Sequence, residues 1–270
     1  MKLRVIHETV YQYTPAVQNA QHMAHLRPRT GVVQRVLTHA LQIDPAPAQC
    51  EATQDVFGNT RAFFSLPFTH ERLHVRAETL LETTPPPPAP PGEPWEAVRE
   101  RLAYRRGMPY HPATEFSFAS PYIPRHADFV AYAQASFAPG RPLMDAARDL
   151  MARIHADFAY TANATDAGTP ALESLRLRRG VCQDFAHVMI GCLRSLGLAA
   201  RYVSGYLLTE PPPGQPRLVG ADASHAWVSV WSPTAGQDGD APDSAAWWDL
   251  DPTNDRAAGE DYVTLALGRD

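Results

Sequence analysis

A run of prolines divides this chain into two stretches whose apolar residues repeat with different periods. Thr84-Pro85-Pro86-Pro87-Pro88-Ala89-Pro90-Pro91 offers few backbone N–H groups to a helix or a sheet ladder and favours a stiff polyproline II spacer. Before it, apolar residues alternate with polar ones; after it, they recur every three or four positions. That change of period predicts an N-terminal β-sheet domain over 1–84, a linker over 85–94, and over 95–270 a helical connector leading into an α+β core. A length of 270 residues is enough for two modest cores without disulfide staples.

In the first stretch Leu3, Val5, His7, Thr9, Tyr11 and Tyr13 alternate with Arg4, Ile6 and Glu8, and Leu37, His39, Leu41 and Ile43 repeat the pattern. Asp55-Val56-Phe57-Gly58-Asn59-Thr60 carries a hairpin turn signal, and Leu73, Val75, Ala77, Thr79 and Leu81 share one face of a further strand. A small antiparallel sheet or sandwich follows. Its histidines, His7, His22, His25, His39, His70 and His74, show no metal-ligand spacing with cysteines or carboxylates and read as core-edge and polar-face residues.

In the second stretch Pro94 can open a helix carrying Trp95, Val98 and Leu102, and Phe129, Ala133 and Phe137 suggest another after Pro124. The aromatic segment 110–122 between them reads as a packed connector rather than a lid. A longer helix follows Pro142, and Thr169-Pro170 marks an N-cap and first-turn proline for a short one. Phe185, Val188, Met189, Cys192, Leu193 and Leu196 then trace the buried face of a helix that stops at Gly197. Strands return at 200–207, around His225–Trp231 and at Trp247–Asp251, with a Gly/Asp-rich hairpin loop before the last.

Cys182 falls in the first turn of that buried helix, where unsatisfied N–H groups and the positive end of the macrodipole favour thiolate over thiol. A nucleophilic thiol needs a base and a group to orient the base. His225 sits in one downstream strand and Asp251 at the end of the next, where Pro252 ends ladder pairing, so neighbouring antiparallel strands can join them. Asp249 shares the strand face of Asp251 and is its rival as orienter. Asp184 reads as a helix cap, His187 as packing, Cys192 as a small core hydrophobe and Cys50 as incidental. Three cysteines at no disulfide-like spacing suit a reducing compartment. Met1-Lys2-Leu3-Arg4-Val5 shows no secretory pattern and no stretch approaches membrane-span length, so the expectation is cytoplasmic. A net charge of −5 gives no nucleic-acid or anionic-membrane footprint.

Gly180-Val181-Cys182-Gln183-Asp184-Phe185-Ala186, Ala200-Arg201-Tyr202-Val203-Ser204-Gly205-Tyr206, Ser224-His225-Ala226-Trp227 and Asp251-Pro252-Thr253-Asn254 together resemble the successive blocks of the transglutaminase-like superfamily core, over about 145–255. The opening strand and Asp55-Val56-Phe57-Gly58-Asn59 resemble the N-terminal β domain of its bacterial members. The resemblance implies a papain-like thiol fold with Cys182 as nucleophile, His225 as base then acid, and Asp251 as orienter. The oxyanion would be held by the Cys182 N–H and one further donor, for which Tyr160, Gln183 and Trp227 are candidates. The expected activity is acyl transfer from a peptide or carboxamide through a Cys182 thioester, hydrolytic (amidase or protease) rather than cross-linking, with no cofactor. Animal transglutaminases need calcium, but no EF-hand-like loop occurs here. Two other readings are a catalytically silent binding module on the same fold, and a metal site built from Cys182, His187 and His225; the latter lacks the paired short spacings that zinc sites show.

Overall fold

The computed structural model describes residues 1–270 except 89–91, 108–109, 211–212, 215–217, 221–222 and 234–245. The end of the proline run and most of the expected hairpin loop before Trp247 therefore lie outside the described residues. The chain separates into two compact units, residues 1–85 with 260–267, and residues 86–259 with 268–270.

The first unit is built from two three-stranded antiparallel sheets. β1 (Lys2–Val17), β6 (His70–Thr83) and β3 (Gln34–Asp44) lie in the order β1-β6-β3, and β2 (Ala20–Arg27), β5 (Thr60–Leu66) and β4 (Gln49–Gln54) in the order β2-β5-β4. Alternation dictates which residues go inward: Leu73, Val75, Ala77, Thr79 and Leu81 of β6 are all buried. Phe64 and Leu66 join Leu73 and Val75 in the core, with Tyr13, Leu26, Leu41 and Ile43 packed against them. The Asp55–Asn59 turn does more than join β4 to β5. Asp55 Oδ1 accepts from the N–H groups of Phe57 and Asn59, and the Asn59 amide then pairs with both backbone groups of Leu267. Gln34 likewise brackets Thr264, its Nε2 donating to the carbonyl and its Oε1 accepting from the N–H. These side-chain amides bring 260–267 back to a unit that the sequence reading closes at residue 84.

In the second unit α1 (Trp95–Leu102), α2 (Ala127–Ala133), α3 (Leu143–Asp157) and α4 (Ala171–Leu177) precede α5 (Cys182–Ser195). Two residue pairs, β7 (Ala159–Tyr160) and β8 (Arg179–Gly180), form a parallel bridge ahead of α5. β9 (Ala200–Leu207), β10 (His225–Trp231), β11 (Trp247–Asp251) and β12 (Arg256–Ala257) follow as antiparallel neighbours. α2 ends before Phe137, and the N-cap position of α4 is Pro170 rather than Thr169, whose hydroxyl instead accepts from the Asp166 N–H.

α5 is the hub, touching α2, α3, α4, β9 and β10, and every residue from Asp184 to Arg194 is buried. Gly191 lets Phe129 of α2 approach, since a Cβ there would lie 2.8 Å from the ring. Near the other end, Arg194 is fully buried. Its guanidinium donates to the carbonyls of Phe116, Ala200 and Arg269 and to Ser120 Oγ. Burial lowers its pKa to about 9. Those bonds tie the segment after α1 to the hub helix, and Phe116 in that segment packs edge-on against Trp247. Within 112–120, Ala113, Thr114, Phe116 and Ser117 are buried and Phe118 is exposed, as are Tyr110 and Tyr122 on either side.

Candidate active site

Cys182 is the first residue of α5, half-buried and free. Its position is fixed by the turn before it and by one carboxylate. Asp184 is buried, and accepts from the Val181 N–H at 2.8 Å, Thr165 Oγ1 at 2.6 Å and Ser174 Oγ at 2.6 Å. It caps the helix as the sequence suggests and also fastens that end to α4 and to the loop after β7. Gly180 is required beside it, because a Cβ there would collide with the Asp184 carboxylate.

The imidazole comes from the sheet. β10 and β11 run antiparallel with Ser229 opposite Asp249, so His225 and Trp227 meet the two aspartates at the end of β11. His225 Nε2 is 2.8 Å from Asp251 Oδ2, and both side chains are shut off from solvent. Asp251 Oδ1 accepts from the Thr253 N–H, which holds the carboxylate in place. Asp249, the rival, accepts instead from Trp227 Nε1 at 3.1 Å. With Nε2 engaged, Nδ1 is buried with no nitrogen or oxygen partner and is the ring nitrogen left for the thiol. Burial works against a charged ring, but the bonds and charges of Asp251 and Cys182 outweigh it and raise the His225 pKa to about 9.

The three candidate oxyanion donors are placed differently. Tyr160 pairs with Gly180 across the β7–β8 bridge, two residues before Cys182, and its phenol pKa is raised by burial and then by the charge of Cys182. Gln183 Nε2 donates to the Ala167 carbonyl, and the Trp227 indole N–H is directed to Asp249. Tyr202 of β9 also feels Cys182: burial, then the charges of Cys182 and Asp184, push its phenol pKa up. Its ring packs on His187 at 5.1 Å. Thr165 and Ser174 carry no sequence signal of their own, since each acts through the Asp184 carboxylate further along the chain. Among the described residues no group of three His, Cys, Asp or Glu side chains is arranged to hold a metal ion.

A thiol carried on a helix, facing an imidazole carried on an antiparallel sheet, is the division of labour of papain-like folds, and that is the class of this second unit. The solved structure of a proposed cysteine protease from Cytophaga hutchinsonii superposes on the whole chain and 82% of its own, with a TM-score of 0.72 at 19% identity. The chain belongs to the transglutaminase-like superfamily: residues 130–252 match the superfamily core and residues 3–82 the bacterial transglutaminase-like N-terminal region. Uncharacterised proteins of Mycobacterium tuberculosis and Mycobacterium bovis are 42% identical to all of this chain, over 84% of their own length. A protein-glutamine gamma-glutamyltransferase of Pseudomonas aeruginosa is 34% identical over 102 residues, which is 37% of this chain and 14% of that one.

Proposed function

We propose that this protein is a thiol acyl-transfer enzyme that hydrolyses carboxamide or peptide bonds through a Cys182 thioester. The observation that carries the reading is the buried His225–Asp251 pair at 2.8 Å, set so that its free Nδ1 serves the cysteine at the start of α5. Cys182 Sγ attacks the carbonyl carbon, and negative charge develops on the carbonyl oxygen. The Cys182 N–H and the Tyr160 hydroxyl are the donors for that oxygen. His225 Nδ1 passes its proton to the departing nitrogen, the C–N bond breaks and ammonia or an amine leaves. Water then adds to the thioester, giving its proton to Nδ1; the C–S bond breaks and the acid departs. Asp251 keeps the ring in the required orientation and balances its charge throughout.

Hydrolysis rather than amine transfer is favoured by access. Cys182 is only half-buried and Tyr160 is 43% exposed, so water can reach an acyl group on the sulfur. The test is incubation with a glutamine-containing peptide in the presence of a fluorescent primary amine. Ammonia release without incorporation, abolished in Cys182→Ala, is expected. Incorporation would make the enzyme a transglutaminase. Neither product, with Cys182 alkylated no faster than the exposed Cys50, would leave a binding module on an enzyme fold.

A further inference from the structure

His225 is approached on its Nδ1 side by a backbone turn. Gly220 has φ +88°, and a Cβ added to it would lie 2.5 Å from Nδ1 and 3.1 Å from Cε1. A side chain is excluded there twice, by backbone conformation and by the ring. Val219, next to it, is 41% exposed, so burial does not hold the turn. Asn254 does. Its Oδ1 accepts from the Val219 N–H at 2.8 Å, and its Nδ2 donates to the Val219 carbonyl at 3.2 Å. The same Nδ2 donates at 2.7 Å to Asp251 Oδ2, the oxygen bound by His225. One amide thus grips both backbone groups of the turn and the carboxylate that orients the imidazole.

We propose that Asn254 is a positioning residue that clasps the Val219–Gly220 turn to the Asp251–His225 pair, so that the turn braces the ring and keeps Nδ1 directed at Cys182. The inference rests on the thiol–imidazole reading given above and adds to it a second support for the base. Asp251 keeps its backbone bonds from Thr253 and Asn254 when the Asn254 side chain is removed. What is lost is the hold on the turn. The ring, no longer braced, can then turn away from the thiol, and the pairing of Nδ1 with Cys182, the charged neighbour of the ring besides Asp251, weakens.

The readout is the rate of Cys182 alkylation by iodoacetamide at pH 6.5 divided by the rate at pH 9.5, measured on the full chain. This ratio reports pairing with the imidazole, and it is compared only between samples that circular dichroism shows to be folded at both pH values, since an unfolded fraction would add an unpaired thiol. Asn254→Ala is expected to lower it about tenfold, the scale of one hydrogen bond to a charged group. Gly220→Ala displaces the same turn while leaving Asn254 intact, and is expected to lower the ratio similarly; it decides the matter if Asn254→Ala does not fold. A ratio within twofold of wild type in the folded variants, whatever the melting temperature, overturns the proposal. His225→Ala separates the two levels. If it leaves the ratio unchanged, the thiol–imidazole reading itself fails; if it collapses the ratio while the turn variants do not, only the role of Asn254 is refuted.

Discussion

Replacing Asp251 by asparagine tests what holds the proton on His225. In the intact site the ring keeps its proton up to about pH 9, because the bond and charge of Asp251 and the interaction with Cys182 overcome a burial that acts in the opposite direction. At pH 7.5 about 97% of the rings are then protonated. The Asp251→Asn side chain retains the shape and can still accept from the backbone N–H of Thr253, but it removes the negative charge while the burial remains. With the bond and charge of Asp251 gone and burial unchanged, the pKa of the ring falls, Cys182 alone still raising it, and a smaller share of the rings is protonated at pH 7.5. The Cys182 thiolate then loses part of its counter-ion, so alkylation at pH 7.5 is expected to slow about tenfold, the scale of one bond to a charged group, and the difference narrows above pH 9. The protein carries its own controls. Cys50 is free and exposed and serves as the reference thiol, whereas Cys192 is buried and burial pushes its pKa up, so it stays silent. Peptide mapping by mass spectrometry after timed exposure to iodoacetamide gives the Cys182 rate relative to Cys50. An Asp251→Asn profile that overlays wild type from pH 6 to 9 refutes the charge argument, and a tenfold loss that persists unchanged at pH 9.5 points to misplacement of the ring.

Two further outcomes follow from buried groups around α5. His187 is 2% exposed, and burial lowers its pKa to about 4 despite the opposing charges of Asp270 and Asp184. Its ring is therefore neutral when folded but takes a proton near pH 6.5 when unfolded; stability is full above pH 6.5 and falls by about 3 kcal/mol as the pH drops to 4. His187→Phe, which keeps the stacking on Tyr122, is expected to remove that part of the pH dependence of the urea midpoint; an unchanged slope contradicts it. Asp184→Ala leaves the Thr165 and Ser174 hydroxyls and the Val181 N–H without their acceptor. A cost of about 3 kcal/mol in urea unfolding is expected, together with slower Cys182 alkylation; a neutral result in both would demote Asp184 to an ordinary cap.

Most of the second unit is legible in the sequence because its signals are local. The three- and four-residue period from Phe185 to Leu196 makes α5, and Cys182 stands at its first position. Alternation in β10 and β11 is equally plain, yet it places Asp249 and Asp251 on one face and cannot choose between them. The choice is made by strand register, which gives Asp249 to the Trp227 indole and Asp251 to His225. What local pattern does not carry is any bond between side-chain amides and distant backbone. Asn59 and Gln34 capture 260–267 in this way, and Asn254 captures Val219, 35 residues earlier in the chain. An asparagine or glutamine has the same appearance in a sequence whether it faces water or closes a unit.

The two buried carboxylates of the site have opposite tasks, and their hydrogen bonds explain how one site holds both. Asp184 lies two residues from the nucleophile, where an unscreened negative charge would oppose a thiolate. Its charge is met by three donors, one backbone and two hydroxyl, none of which reaches the imidazole, so it anchors the helix start without claiming the proton. Asp251 takes its Oδ1 bonds from backbone N–H groups and directs Oδ2 to His225 and Asn254, so its charge acts on the ring. The nucleophile is thus fixed from the helix side and the base from the sheet side, by separate networks. A substitution in either network should change the meeting of Sγ and Nδ1 without unmaking the other half. For that reason Asp184→Ala and Asp251→Asn are expected to lower alkylation by different routes: the first equally at all pH values, by displacing the sulfur, and the second only below about pH 9, by removing the proton. Two profiles of the same shape would mean that the networks are one.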